Sequence, residues 1–162
     1  MSEALSFDRV SFSYSGERVV DNVSFSIAEG EIVCLLGPSG CGKTTCLRLA
    51  AGMEKPDEGA ISLGGEIVST SDSAAPPETR HIGFLFQEFA LFPHLSVYDN
   101  ICFGLSGMTL NEQKTRALEL LKEVGLTGFA DKFPSSLSGG EQQRAALARA
   151  LAPSPHLVLM DE

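Results

Sequence analysis

The sequence predicts an α/β protein with a mostly parallel sheet, an antiparallel β-subdomain at the N-terminus and a helical subdomain in the second half. Two stretches near the N-terminus alternate apolar and polar residues, as half-buried antiparallel strands do. Two short runs, 31–36 and 157–160, are almost wholly apolar, which is typical of parallel strands buried on both faces. Amphipathic segments with helix-capping signals lie between these two runs.

The N-terminal strands are predicted at 5–14 and 19–27, with a turn at Ser15-Gly16-Glu17 between them. After the buried run 31–36, a helix is predicted over 43–51. Gly52 then occupies the position after the helix that favours a left-handed backbone.

Shorter strands are predicted at 60–63 and 66–68, because Gly64-Gly65 between them is a hairpin signal. Residues 71–80 are polar and contain prolines, so they are predicted to form a loop. The run 81–86 is predicted to be another strand.

Two capping boxes predict the starts of helices. Thr109 with Glu112 precedes an apolar face with helical spacing, and Gly125 ends that helix. The residues of this face are Ala117, Leu120, Leu121 and Val124. Ser138 with Glu141 begins a second helix, which runs to about Ala152 because Pro153 stops it.

Composition excludes several classes of function. The chain has 162 residues, the length of one domain, and its net charge of −9 argues against a protein that mainly binds nucleic-acid phosphates. No apolar run is long enough to cross a membrane, and the N-terminus shows no signal-peptide pattern. The 4 cysteines form no CxxC pair and have no zinc-site spacing, which favours reduced thiols.

Residues 37–44 fit the phosphate-binding pattern G-x-x-x-x-G-K-[ST] between a predicted strand and a predicted helix. Glycines permit the tight turn that points N–H groups into one concavity, and the helix adds its positive N-terminal end. We expect Lys43 to contact the β- and γ-phosphates and Thr44 to ligate Mg²⁺. The alternative is an ordinary glycine-rich turn with an exposed lysine.

Two carboxylates, Asp161 and Glu162, follow the apolar run 157–160. The carboxyl edge of a parallel sheet is where ligands of open α/β sheets bind. We therefore expect Asp161 to hold Mg²⁺ and Glu162 to orient or deprotonate the attacking water. Acidic residues also end ordinary strands, so this interpretation depends on the phosphate loop.

The segment LSGGEQQ, which starts at Leu137, begins the second predicted helix. The capping box explains a helix start, but it does not explain Gly139 and Gly140, which cost about 1 kcal/mol each within a helix. Glycines leave the main-chain amides open to an approaching group, and a phosphate is the natural candidate.

Together these motifs resemble those of the ATP-binding cassette family over essentially the whole chain. The phosphate loop resembles its Walker A motif, LSGGEQQ its signature motif and LVLMDE its Walker B motif. The resemblance implies a P-loop NTPase core that uses ATP and Mg²⁺. The implied nucleotide-binding residues are Gly37, Pro38, Ser39, Gly40, Cys41, Gly42, Lys43, Thr44 and Thr45. The signature residues, implied to contact the ATP of a partner subunit, are Leu137, Ser138, Gly139, Gly140, Glu141 and Gln142.

The resemblance implies two further positions. Tyr14 matches the aromatic residue that stacks on adenine, and Gln87 matches the Q-loop glutamine that senses Mg²⁺ and the γ-phosphate. An exposed strand tyrosine and a solvated loop glutamine are the alternatives. The implied catalytic residues are Lys43, Gln87 and Glu162, and the implied metal ligands are Thr44, Gln87 and Asp161.

The family also implies partners. Two cassettes enclose two ATP molecules, so a second ATPase subunit, giving a homodimer, is expected. The apolar stretch 84–100 is expected to be a surface loop, and region 87–103 to receive transmembrane permease subunits, with a solute-binding protein acting indirectly. The chain is similar to importer ATPases for ferric iron, polyamines, inorganic anions and sugars, and most similar to those for ferric iron. This implies a peripheral subunit on the cytoplasmic face of the inner (plasma) membrane, without a nucleic-acid partner.

Residues 1–162 are expected to be the N-terminal portion of one nucleotide-binding domain. The ATP-binding core is expected at about 1–87 and 153–162, and the helical subdomain at about 88–152. The family has a D-loop, a switch histidine and more strands after Walker B, so the fold is expected to be incomplete at the C-terminus and this chain alone to hydrolyse ATP weakly or not at all. Two alternatives remain: a non-catalytic fragment that binds nucleotide, and a cassette ATPase acting on nucleic acid or ribosomes.

Overall fold

A computed structural model describes residues 3–161, which form two compact units divided between Ile82 and Gly83. Among the described residues, the first unit contains an antiparallel sheet and one α-helix. The second contains three α-helices and a two-stranded sheet, and each unit also has one short 3-10 helix. No helix among the described residues is both long and apolar enough to span a membrane.

The first unit is built on a four-stranded sheet with the order β2-β1-β3-β4. Its elements are β1 (Glu3–Tyr14), β2 (Glu17–Ala28), α1 (Lys43–Ala51), β3 (Glu58–Leu63) and β4 (Glu66–Thr70). All three strand pairs are antiparallel, which confirms the predicted N-terminal β-subdomain. Phe7 and Phe25 stack across the first pair with ring centroids 4.7 Å apart.

Both predicted turns between these strands are confirmed. Ser15 and Gly16 have φ of 49° and 86°, and Gly64 and Gly65 have φ of 56° and 82°. Two successive positive φ values are the geometry that matches the twist of a two-residue hairpin. The strands extend beyond their predicted limits, and Glu17 is the first residue of β2 rather than part of the turn.

The prediction of a strand at 31–36 is wrong. These residues form no strand, and Ile32 and Leu36 are 94% and 92% exposed. A strand needs main-chain partners at its edges. In the first unit, the described strand pairing joins β1, β2, β3 and β4, together with one isolated bridge between Ser69 and Ala74, and it does not include 31–36. The apolar composition of the run was therefore not sufficient to make it a strand.

The second unit packs its helices around a single apolar core. Its elements are β5 (Ile82–Leu85), which begins at the division, α2 (Val97–Cys102), α3 (Leu110–Glu123), α4 (Gly139–Leu151) and β6 (Leu157–Met160). The core contains the predicted apolar face of α3 together with residues of α2, α4 and the connecting segments. Its largest buried side chains are Val97, Ile101, Leu105, Leu120, Leu121 and Leu126.

Strands β5 and β6 pair with each other, and the N–H of Asp161 donates to the Leu85 carbonyl at 2.9 Å. That bond joins the residue after β6 to the last residue of β5. The carboxyl ends of the two strands therefore lie side by side, and the strands run parallel.

The capping boxes of α3 and α4 form as predicted, each with both reciprocal hydrogen bonds. Helix α2 was not predicted. Its N-cap is Ser96, whose hydroxyl accepts from the Asp99 N–H at 3.1 Å. This helix corrects the expectation that 84–100 is a surface loop, because α2 turns Val97 and Ile101 into the core.

Candidate nucleotide-binding site

The phosphate loop leads directly into α1, and Gly42 is the residue at the junction. Gly42 is the N-cap of α1 with φ of 93°, a left-handed conformation that favours glycine. A Cβ at this position would lie 2.7 Å from the main-chain oxygen of Val19. Gly40 is also left-handed, with φ of 83°. The glycine at 42 is therefore required both by backbone conformation and by its neighbour.

Lys43 places its ammonium against the loop itself. Its Nζ donates to the carbonyls of Gly37 at 2.9 Å and Pro38 at 2.8 Å, and it lies 3.5 Å from Cys41 Sγ. The loop therefore bends around a positive charge. The ammonium therefore lies within hydrogen-bond distance of the main chain of the phosphate loop.

Helix α1 adds to this electrostatic character. Its first turn contains no acidic residue, so no side-chain carboxylate of the helix offsets its positive N-terminal end. Thr44 is partly buried in this first turn and Thr45 is buried, whereas Pro38, Ser39 and Cys41 are exposed. Burial raises the pKa of the neighbouring Cys46 thiol, with a smaller contribution from Cys41, so that thiol stays neutral.

Tyr14 ends β1 and keeps its ring partly exposed, at 38%. Its hydroxyl donates to Glu54 Oε1 at 3.0 Å, and its ring meets Phe12 edge-on with centroids 4.7 Å apart. The ring is thus held at its edge and at its hydroxyl. Stacking on an adenine remains a prediction for this residue.

In the second unit, Gln87 and Asp161 lie at the same edge of the β5–β6 sheet. Asp161 directly follows β6 and is bonded to Leu85, and Gln87 is exposed two residues beyond Leu85. Carboxylate and amide oxygens at this edge are hard donors of the kind that Mg²⁺ prefers. The predicted catalytic residue Glu162 lies outside the described residues.

The signature segment begins α4. Ser138 is the N-cap, and Glu141 Oε2 accepts from the Ser138 N–H at 2.7 Å and from its hydroxyl at 2.8 Å. The Ser138 N–H, followed by the hydroxyl, lowers the pKa of the Glu141 carboxyl. Gln142 donates from Nε2 to the carbonyls of Pro134 and Leu137 at 3.1 and 3.2 Å, which ties the preceding turn to the helix.

Both signature glycines have room for a Cβ, and Gly139 faces open space. A Cβ on Gly139 would meet nothing within 4 Å, and one on Gly140 would lie 3.7 Å from Arg144 Nη1. Neither residue has positive φ. The described residues therefore give no internal reason for glycine at either position, in contrast to Gly42.

Sequence reasoning missed Asn100 and Arg149, which organise the segment after Gln87. Asn100 is fully buried and bonds main-chain groups of Phe92, Leu95 and Ser96. Arg149 bonds the carbonyls of residues 89 and 90. The partners are main-chain atoms, so no pairing of residue types in the sequence could have revealed them.

The described residues contain no cluster of three or more His, Cys, Asp or Glu side chains that could hold a metal by themselves. A nucleotide-bound Mg²⁺ needs fewer protein ligands, because it keeps several waters and takes phosphate oxygens. The Thr44 hydroxyl in the first unit, and the Gln87 amide and Asp161 carboxylate in the second, each offer an oxygen donor of the kind that Mg²⁺ prefers.

The chain is similar to known proteins along most of its length. A family model described as ABC transporter matches residues 20–162. An Fe(3+) ions import ATP-binding protein of Haemophilus influenzae is 49% identical over 151 residues, covering 92% of this chain and 42% of that protein. A sulfate/thiosulfate import ATP-binding protein of Chromobacterium violaceum is 51% identical over 166 residues, covering 100% of this chain and 43% of that protein.

A solved structure agrees with these relatives. The dimeric post-hydrolysis state of the ATP-binding cassette MJ0796, bound to ADP and Pi, matches with a TM-score of 0.84 and 37% identity, over 98% of this chain and 73% of that one. This match confirms the predicted α/β fold class. The chain spans less than half the length of the two curated relatives above. Because the family model covers residues 20–162, the chain belongs to the ABC transporter family.

Proposed function

We propose that this chain provides the ATP-binding part of a subunit that hydrolyses ATP to power a membrane importer. The observation that carries the proposal is the phosphate loop: a left-handed Gly42 packed against Val19, and Lys43 bonded across the bend. We assign the ATP-binding core to about 1–87 and 153–162 and the helical subdomain to about 88–152.

Each predicted site residue has a role in this proposal. Main-chain N–H groups of residues 39–42 and of the start of α1 bind the phosphates, and Lys43 neutralises charge on the β- and γ-phosphates. Thr44, Gln87 and Asp161 supply oxygen donors for Mg²⁺, which neutralises developing phosphate charge when bound. Tyr14 stacks on the adenine, and Glu162 orients the attacking water.

A second copy of the subunit completes the site in this proposal. The open space around Gly139 supports it, because a small residue there lets a phosphate approach the N-terminal amides of α4. The dimeric state of the similar MJ0796 structure supports it as well. The signature residues Leu137 to Gln142 would then face the ATP bound by the partner copy.

Region 87–103 is proposed to contact permease subunits on the cytoplasmic face of the membrane, with a solute-binding protein acting through them. Phe103 supports this contact, because its side chain is 63% exposed. Its ring packs on that of Phe92, with the two centroids 4.4 Å apart. Exposed apolar side chains mark a site for a protein partner where they form a contiguous patch, and Phe103 with Phe92 is the candidate centre of such a patch. The relatives' names, which describe import ATP-binding proteins, agree with it.

The transported solute is proposed to be an inorganic ion, and ferric iron in particular. Relatives named for Fe(3+) ions and for sulfate/thiosulfate are almost equally similar to this chain. The two solutes are distinguished by uptake of radiolabelled iron and radiolabelled sulfate into cells that express the subunit with its permease. Loss of iron uptake alone in the Lys43→Ala variant supports ferric iron, and loss of sulfate uptake alone contradicts it.

Thermal melting with and without Mg-ATP tests nucleotide binding. A ligand at 100 times its Kd stabilises the folded state by about 2.7 kcal/mol. For a chain of this length we expect a rise in Tm of roughly 5–11 °C. Lys43→Ala should abolish this rise, whereas the exposed Lys55→Ala on the same unit should keep it. An equal rise in both variants would contradict the assignment of Lys43.

A further inference from the structure

The segment that follows Gln87 has an unusual backbone. Phe89 and Ala90 have φ of 59° and 47°, so two successive residues other than glycine adopt the left-handed conformation. Such residues persist only where the surrounding structure holds them in place. The short bonds from the Phe89 N–H to Phe86 at 2.8 Å and from the Ala90 N–H to Glu88 at 2.6 Å belong to the same bend.

Arg149 of α4 contacts this bend at its two unusual residues. Its Nη1 donates to the Ala90 carbonyl at 2.6 Å and its Nη2 to the Phe89 carbonyl at 3.0 Å. Its Cζ lies 5.3 Å from the ring centroid of Phe92, within the range of a cation–π contact. One guanidinium therefore binds three residues of the segment.

This guanidinium is not part of a described ion pair. Both of its hydrogen bonds go to main-chain carbonyls, and burial lowers its pKa. A partly buried arginine without a carboxylate is costly unless its donors are satisfied. Here the left-handed residues turn their carbonyls toward it. The two carbonyls satisfy donors of the buried guanidinium, and the guanidinium in turn stabilises the left-handed backbone.

Asn100 fixes the next part of the same segment from α2. Its Oδ1 accepts from the Phe92 N–H at 2.9 Å, and its Nδ2 donates to the carbonyls of Phe92, Leu95 and Ser96 at 2.9–3.1 Å. Residues 89–96 are therefore tied to the helices at both ends, through Arg149 on α4 and Asn100 on α2.

We propose that Arg149 is a positioning residue, which holds the segment after Gln87 in its left-handed conformation and so joins it to α4, the helix that begins at the signature serine. The inference rests on the proposed function, in which Gln87 binds Mg²⁺. Fixing the segment that follows Gln87 would position its side chain for that metal. It also makes the segment and the signature helix move together.

Hydrogen exchange measured on the amides of Phe89, Ala90 and Phe92 tests the inference directly. Arg149→Gln should increase their exchange by about tenfold, since it removes two charge-assisted bonds. Arg149→Lys keeps the charge and one point of contact, so it should increase the exchange of these amides less. It replaces Arg149→Gln in the test if that variant fails to fold. Amides in the middle of α4 should be unaffected.

Arg116→Gln is the matched control. Arg116 also donates to main-chain carbonyls, those of Leu151 and Ala152 at 3.1 and 3.4 Å, and its described hydrogen bonds include none to residues 89–96. It should lower stability without changing exchange at Phe89 and Ala90. Equal exchange in the Arg149 and Arg116 variants would overturn the inference.

A double-mutant cycle with Gln87 links the loop to metal binding. Arg149→Gln and Gln87→Ala should each weaken binding of Mg-ATP by about tenfold, the range for residues that support metal ligands. Neither should change binding of ATP without Mg²⁺, and the double variant should lose no more than either single one. Additive losses would overturn the coupling. If Gln87→Ala alone has no effect, the proposed role of Gln87 fails, and the exchange measurement still decides the role of Arg149.

Discussion

Arg80 joins three parts of the first unit through one side chain. It is 5% exposed, and its guanidinium makes six hydrogen bonds of 2.6–3.3 Å. The acceptors are the carbonyls of Leu49, Ala50, Val68 and Ala75 and the hydroxyl of Ser69. These acceptors lie at the end of α1, on β4 and in the loop after it. We therefore expect Arg80→Met to destabilise the whole unit.

The loss of unfolding free energy in Arg80→Met depends on which of these acceptors are left without any hydrogen-bond donor. The Leu49 and Val68 carbonyls keep main-chain donors, at 3.1 and 2.8 Å. The Ala50 carbonyl and the Ser69 hydroxyl, both in residues 1% exposed, lose their only described partner. The Ala75 carbonyl also loses its described donors, but this residue is partly exposed, so water replaces them at little cost. Each unsatisfied buried group costs about 1–3 kcal/mol. The substitution also removes a buried positive charge, and burial lowers the pKa of Arg80 because it disfavours that charge. Removing it offsets part of the cost, so the expected loss of unfolding free energy is about 3 kcal/mol.

Thermal melting followed by circular dichroism measures this loss. About 3 kcal/mol corresponds to a fall in Tm of roughly 6–12 °C for a chain of this length. Arg48→Met is the control, because Arg48 is exposed in the last turn of α1 and its loss should cost less than about 0.5 kcal/mol. A Tm difference of 2 °C corresponds to about 1 kcal/mol. If the two variants melt within 2 °C of each other, the hydrogen bonds of Arg80 do not stabilise the unit by the expected amount.

Two further predictions concern the start of α4. Because hydrogen bonds lower the pKa of Glu141, its contribution to stability is present above the ordinary pKa of glutamate and is lost as the pH falls through the lowered value. The Tm of Glu141→Gln should therefore fall less than that of the wild type between about pH 5 and about pH 3. Parallel curves of Tm against pH would contradict the stabilising role of the ionised Glu141. Gly139→Ala should raise stability without nucleotide by about 0.4–1 kcal/mol, and should weaken the Mg-ATP-dependent dimer in sedimentation velocity. Unchanged dimerisation would remove the proposed role of that glycine.

Local signals predicted the local structure well. The capping boxes at Thr109 and Ser138 and the turn glycines at 64 and 65 all specify geometry within a few residues, and the structure forms each of them. Helix α2 was missed although Ser96 and Asp99 give a short capping signal. A helix of six residues shows little periodicity, so the sequence places its apolar residues in an exposed loop.

Long-range partners could not be predicted in the same way. The run 31–36 has the composition of a buried strand, but strand formation depends on neighbours that composition does not supply. Arg80 and Arg149 both bond carbonyl groups, which every residue carries. Their roles follow from the path of the backbone, and the sequence shows only an arginine. The positive φ of Phe89 and Ala90 is equally invisible in the sequence, since neither residue type favours it.

The glycines of the two phosphate-related motifs show what a structure adds to a sequence pattern. At Gly42 a side chain would collide with the Val19 carbonyl, so the fold of this chain explains the glycine. At Gly139 a side chain would meet nothing, and helix propensity favours alanine there. A residue that costs stability and relieves no contact within the described chain is best explained by a group from outside it. In the proposed function that group is a phosphate of the nucleotide held by a second copy of the subunit, since the N-terminus of a helix attracts anions.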